Sequence, residues 1–162
     1  MQLTPIVTHQ VVAIVNDLNA AYARCIDDNE IEGWPDFFTE KGIYRITTRE
    51  NELLGLPMPV LSLEGRAMIR DRVVALRNAN LYNLHADLHI IGCGHVDSCA
   101  DGIVQATTPF AIYQTDQDGV SRLFVVGTYH DEIVINNDSA LLRYKNVVLT
   151  TSLISNLLAT PL

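Results

Sequence analysis

Residues 103–152 read IVQATTPFAIYQTDQDGVSRLFVVGTYHDEIVINNDSALLRYKNVVLTTS, and the fold turns on this stretch. Three β-rich runs, roughly 103–115, 120–135 and 140–152, are separated by Asp116-Gln117-Asp118-Gly119 and Asn136-Asn137-Asp138-Ser139. Both tetrads consist of residues that favour tight turns, so the runs read as strands of a meander. Immediately upstream, 84–99 reads as a fourth strand.

Towards the N-terminus the period changes from two to between three and four. Residues 65–79 read as a helix with Ile69, Val73 and Leu76 inward and Arg66, Arg70 and Arg77 outward. VLSLEG (60–65) holds a short strand, ENELLGLPMP (50–59) reads as a loop, and GIYRITT (42–48) alternates as a strand should. Ile31, Trp34 and Phe38 share one side of a short helical segment that Gly33 and Pro35 interrupt. A longer helix opens the chain, with Thr4 as its cap, Pro5 in its first turn and a stripe of Val7, Val11, Ile14, Leu18, Tyr22 and Cys25. It stops at Asp27-Asp28-Asn29-Glu30. Helices followed by a meander predict an α+β fold, N-terminal helices packed on a curved antiparallel sheet. With no repeat or interior linker, residues 1–162 read as a single domain.

A net charge of −8 over 162 residues leaves no basic footprint, so a nucleic-acid partner is not expected. No apolar run reaches roughly 18 residues, which argues against a membrane span. Cys25, Cys93 and Cys99 are an odd number in a chain large enough to need no disulfide. They read as structural thiols, and a cytoplasmic location is expected.

Two stretches resemble metal sites. Cys93-Gly94-His95 with Cys99 begins like a Rieske iron–sulfur motif, but Cys99 is followed by Ala100-Asp101-Gly102 and the second histidine is missing. The segment therefore reads as a strand end with two buried thiols and an exposed histidine. His85-Ala86-Asp87-Leu88-His89 holds a 2-His-1-carboxylate set. On a strand all three side chains share a face, but the two histidine backbones lie ~13 Å apart, too far to converge comfortably on one ion. No metal is expected on this chain. Dinucleotide, P-loop and nucleophile-elbow patterns are absent.

Several stretches match a known family together and in order. They are YARCIDDNEIEGWPDFFTEKGIYRITTREN, GLPMPVLSLEGRAMIRDRVVALRNANLY and LLRYKNVVLTTSLISNLLATPL. Trp34-Pro35-Asp36-Phe37-Phe38, Thr47-Thr48-Arg49-Glu50-Asn51 and Ile69-Arg70-Asp71-Arg72-Val73 carry most of the match. The chain resembles the small (β) subunit of bacterial aromatic-ring-hydroxylating dioxygenases, nearest to members that serve aromatic acids such as salicylate or terephthalate. The resemblance implies a cone-like barrel of the NTF2/cystatin type and a large (α) subunit in an α3β3 assembly, with contacts between β subunits also expected. It places the Rieske [2Fe–2S] cluster and the mononuclear non-haem iron on that partner, fed from NAD(P)H through a reductase, sometimes with a ferredoxin. The small subunit would then hold the complex together without chemistry of its own. Where this family often has H-x-Y-R-H, the chain carries Leu88 in place of the arginine, which alters any contact that arginine makes.

A partner-facing surface is enriched in Trp, Tyr and Arg, and Trp34, Arg45, Arg49, Arg70, Tyr82 and Tyr144 are the candidates, Trp34 and Tyr144 reading equally as core. Two other readings use the mouth of the same barrel type. One is a stand-alone enzyme resembling ketosteroid isomerase or scytalone dehydratase, the other a small-ligand binding module. Tyr44, His85, Asp87, His89, Tyr129 and Asp131 would supply their acid, base and donor groups.

Overall fold

The computed structural model describes residues 5–79, 83–136, 139–154 and 157–162, with side chains from residue 9 onward. Thr4, the expected cap, and Tyr82 lie outside the described residues, as do Asn137 and Asp138 of the second turn. The predicted meander forms β5 (Ile103–Asp116), β6 (Ser121–Asn136) and β7 (Ser139–Leu149), paired antiparallel in sequence order. At the β5–β6 turn Asp116 accepts from the amides of Asp118 and Val120 at 3.1 and 2.9 Å, and Gly119 takes φ +79°. An aspartate that folds back on its own turn, followed by a glycine at positive φ, is the local chemistry that the sequence pattern uses to end a strand.

Upstream, α1 (Pro5–Asp27) leads through a 3-10 helix (Ile31–Phe37) into β1 (Phe38–Thr48). Next come α2 (Arg49–Leu54), β2 (Leu61–Glu64) and α3 (Arg66–Asn78), then β3 (His85–Ile91) and β4 (His95–Ala100). Among the described residues the strands run β2-β1-β7-β6-β5-β3, with β4 also on β5. The helices cover one face, and a continuous apolar core lies between them and the sheet.

Several expectations change. The sheet does not close into a barrel: β2 ends it on one side, β3 and β4 on the other. Nor is it wholly antiparallel, since β1 pairs with β7 in parallel from Ile43–Tyr144 to Thr48–Leu149. No hairpin joins these two strands, so no turn forces them antiparallel. Residues 49–54 are helical rather than loop. Thr48 accepts from the Asn51 amide at 3.1 Å, and Gly55 at φ +61° ends the turn as Leu56 N bonds Asn51 O at 2.9 Å.

The expected single strand 84–99 is two strands, broken at Gly92-Cys93-Gly94. Pro109 on the facing strand has no N–H to continue the ladder, and a Cβ on Gly92 would stand 2.7 Å from its ring. The chain instead crosses to α1, where Asn16 Oδ1 takes the Gly94 amide at 2.8 Å. Along α1 the buried stripe is Val11, Val15, Leu18, Tyr22 and Ile26, with Ile14 and Cys25 half-buried beside it. In α3, Ile69, Val73 and Leu76 face the core as expected. Arg66 does not simply face water: its Nε and Nη2 both donate to the Phe38 carbonyl, tying α3 to the start of β1.

Candidate functional site

Strand parity carries two charged residues into the interior. Tyr129, Asp131 and Ile133 alternate inward on β6; Lys145, Val147 and Leu149 do so on β7, and Asp131 lies directly opposite Lys145. Lys145 Nζ stands 3.1 and 3.3 Å from the two Asp131 carboxylate oxygens and 3.3 Å from Asn19 Oδ1 on α1. Asn19 Nδ2 in turn donates to Thr108 Oγ1 at 3.2 Å. The ammonium also sits 3.6 Å from the centre of the Tyr129 ring and 4.5 Å from that of Tyr22. Two aromatic faces and three oxygens thus solvate a cation that water does not reach. Burial pushes the Asp131 carboxyl up and the Lys145 ammonium down, each opposed by the other's charge.

Around this pair the interior is aromatic. Phe110 stacks on Tyr129 at 4.1 Å, and Trp34 meets Tyr44 edge-on at 5.0 Å. Burial raises the hydroxyls of Tyr22, Tyr44 and Tyr129 above the usual phenol range, so all three stay protonated. Tyr44 is closed off by the end of the described chain, its hydroxyl accepting the Leu162 amide at 2.9 Å.

The histidines lie elsewhere. His85, Asp87 and His89 do share one face of β3, but only His85 and Asp87 approach each other, Nε2 to Oδ1 at 3.4 Å, and His89 points elsewhere. His85 Nδ1 donates to the Asn83 carbonyl at 2.6 Å, leaving Nε2 to accept from Gln114 Nε2 at 2.9 Å. Asp87 accepts from the same Gln114 nitrogen at 3.1 Å and from Thr160 Oγ1 at 2.8 Å. His89 turns to α1, where its Nδ1 and its backbone amide meet the two Asp27 oxygens at 2.6 and 2.9 Å. Its Nε2 is buried with no hydrogen-bond partner among the described residues. His85, His89 and Asp131 each border a different surface cleft, and none of these three clefts, formed by described residues, collects the six pocket candidates.

The cysteine segment does not fit a metal either. His95 pairs with Thr107 on the outer face, but a bulge between Val96 and Ser98 turns Cys99 inward opposite Val104. The two donors therefore sit on opposite faces. Cys93, expected to be buried, is exposed, and Cys99 is half-buried against the core. Among the described residues no group of three or more His, Cys, Asp or Glu is placed around a common point that could hold an ion.

Of the surface candidates, Trp34 is fully buried and presents nothing to a partner. Arg45 and Tyr144 lie on the outer face of the sheet, Arg45 bonded to Glu52 at 3.1 Å and Tyr144 half-buried opposite Glu132. Arg49 is exposed at the start of α2, and Arg70 is exposed on α3, 3.7 Å from Asp36. Two features escaped the sequence reading. Lys145 was legible as a charge at a core-facing strand position. The other is an apolar surface on α2 and the segment after it, where Leu53 and Met58 are each 76% exposed and Leu54, Leu56 and Val60 accompany them. No helix is long and apolar enough to cross a membrane among the described residues.

Residues 10–142 match the SnoaL-like domain family. The chain is 34% identical over 145 residues to the anthranilate 1,2-dioxygenase small subunit of Burkholderia cepacia, covering 90% of each. It is 33% identical over 144 residues to a terephthalate 1,2-dioxygenase terminal oxygenase component subunit beta of a Comamonas species, covering 89% of this chain and 94% of that one. A solved structure from Novosphingobium aromaticivorans, assigned as the beta subunit of an aromatic-ring-hydroxylating dioxygenase, superposes with a TM-score of 0.87 at 34% identity. That superposition covers 95% of this chain and 98% of the other.

Proposed function

The chain belongs to the family of small (beta) subunits of aromatic-ring-hydroxylating dioxygenases, and on that premise we propose that it holds together large subunits which oxygenate an aromatic acid, without catalysing a step itself. One observation carries the reading: the interior is filled by the Lys145–Asp131 pair and its aromatic walls, and Tyr44 is closed by Leu162. The stand-alone isomerase, dehydratase and ligand-binding readings need that space for a substrate. Relatives named for anthranilate and terephthalate, both aromatic acids, support the substrate class.

In this reading the Rieske cluster and the mononuclear iron belong to the large subunit, whose assembly with this chain is α3β3 with contacts between small subunits. Electrons reach it from NAD(P)H through a reductase, with or without a ferredoxin, in the cytoplasm. The chain acts throughout 1–162 as one domain, and its apolar surface at 53–60 is the part we assign to the large subunit. Exposed apolar area of this kind on a soluble fold marks a contact surface.

Co-expression with a large subunit of this family is expected to give a brown, iron-containing complex, and the chain alone a colourless, inactive protein. Stoichiometric iron in the isolated chain overturns the assignment. So does turnover by the isolated chain that is lost on Asp131→Asn or His85→Ala.

A further inference from the structure

The connection between β1 and β2, residues 49–60, carries an exposed apolar surface but is itself thinly attached. No residue of α2 is buried. Thr48 caps its first turn, and Asn51 Nδ2 donates to the Met58 carbonyl at 3.0 Å, which folds the connection back on itself. Apart from that cap, Glu52 makes the only side-chain hydrogen bonds between residues 49–58 and the strands, among the described residues. Its Oε1 accepts from Arg45 Nη1 on β1 and from Asn146 Nδ2 on β7, both at 3.1 Å.

Arg45 and Asn146 are register partners in the parallel β1–β7 pair, so one carboxylate oxygen bridges two strands. Asn146 is buried and its Oδ1 has no partner, which makes the bond to Glu52 its one side-chain hydrogen bond among the described residues. A buried amide left with no partner at all is costly, and this bond therefore fixes Glu52 against β7. Leu53 and Leu54, which follow Glu52 directly, are exposed, and so are Leu56, Met58 and Val60.

We propose that Glu52 is a positioning residue for partner binding: by fastening α2 to Arg45 and Asn146 it sets the orientation in which Leu53 and Met58 meet the large subunit. The inference rests on the assignment of that surface to the large subunit. An apolar segment whose shape is fixed in the free chain gives up little freedom on contact. One that must be ordered as it binds loses part of its contact energy to that ordering. Arg45 acts in this scheme through Glu52 and not by touching the partner.

The test is calorimetric binding of the full chain to a large subunit of this family, with amide hydrogen exchange on the chain alone. The variants are Glu52→Ala, Glu52→Gln, Arg45→Met, the double Glu52→Ala/Arg45→Met and Leu53→Asp. All are expected to fold, because the Glu52 side chain is 37% exposed and pairs this open contribute little to stability. Glu52→Ala is expected to weaken binding at least about tenfold. It is also expected to speed exchange of the Leu56 amide, which bonds the Asn51 carbonyl at the end of α2, by about the same factor. Glu52→Gln keeps an acceptor oxygen and is expected to stay within about threefold of wild type in both readouts. The double variant is expected to bind no worse than Glu52→Ala, since residues acting through one contact do not add.

Wild-type affinity in Glu52→Ala, while Leu53→Asp binds weakly, overturns the proposal and leaves the contact surface standing. Unchanged affinity in both variants removes the surface and the proposal together. A Leu56 amide that exchanges alike in Glu52→Ala and wild type also overturns it, as does a double variant whose loss is the sum of the two single losses. Should Glu52→Ala not fold, Arg45→Met decides: exchange at Leu56 and loss of affinity are expected to rise together, and either one without the other counts against the proposal.

Discussion

Lys145 and Asp131 face each other across β7 and β6, Nζ 3.1 Å from Oδ2, with neither side chain exposed to solvent. Removing one partner strands a charge where water cannot reach it. Lys145→Met or Asp131→Asn is expected to cost about 3–5 kcal/mol in chemical denaturation. The double replacement Lys145→Met/Asp131→Leu is expected to recover most of that loss, because the desolvation cost disappears with both charges. A single variant as stable as wild type would show that the pair is not held as two charges.

The Glu32–Arg77 pair should report itself through pH. Arg77 Nε and Nη2 lie 2.7 and 2.9 Å from the Glu32 carboxylate, and these hydrogen bonds hold its pKa at about 2 against an ordinary 4.5. The folded value is the lower one, so the pair's contribution is complete above pH 4.5 and is lost as pH falls towards 2. Carbon-detected titration of Glu32 is expected to show a midpoint near 2 in wild type and one in the ordinary carboxylate range in Arg77→Gln. Equal midpoints in the two proteins contradict the assignment.

Gly127 sits where β6 passes closest to its neighbours. A Cβ there would stand 2.4 Å from the Val148 carbonyl and 3.0 Å from the Phe110 ring. Because the obstacle is backbone, Gly127→Ala is expected to destabilise by about 1–3 kcal/mol, the usual range for overpacking. Gly119→Ala, in open space at φ +79°, serves as a control in which only backbone strain is at stake. A thermal melt that leaves Gly127→Ala unshifted argues against this packing.

Leu53 and Met58 project from the edge of the fold and neither is in the core. Leu53→Asp and Met58→Asp should therefore leave the melting temperature of the isolated chain within a degree or two of wild type, surface changes being worth about 0.5 kcal/mol or less. Both are expected to weaken binding to the large subunit by at least about tenfold, the scale of a lost apolar contact residue. Unchanged affinity in calorimetry would move the contact to another surface.

Leu88, at the position where the resemblance leads one to expect an arginine, is half exposed on the outer face of β3. Tyr113 lies opposite it on β5, and Leu123 lies opposite Tyr113 on β6, so the three form an apolar row. Leu88→Arg is expected to keep the fold and to reduce affinity for the chain's own large subunit, as a charge placed in an apolar row must be desolvated on contact. Tighter binding by Leu88→Arg is the result that rules out this row as a contact.

Local chemistry made the meander, α1 and the core face of α3 legible in the sequence. Turn residues such as Asp116 and Gly119, and the spacing of Ile69, Val73 and Leu76, act over a few residues and mean the same in any fold. The run of matched segments likewise made the subunit family readable. Tertiary structure alone decided which strands met. It set β1 parallel to β7 and left the sheet open. It broke 84–99 where Pro109 offers no N–H, and it turned His95 and Cys99 to opposite faces by a bulge. In the sequence Asp131 reads as one of six possible pocket groups and Lys145 as a charge at a strand position, with nothing to pair them. They became a buried pair only when β6 and β7 aligned and α1 brought Asn19 and Tyr22 over them, because the energy of a charge depends on what surrounds it and strand pairing over long sequence distances determines those surroundings.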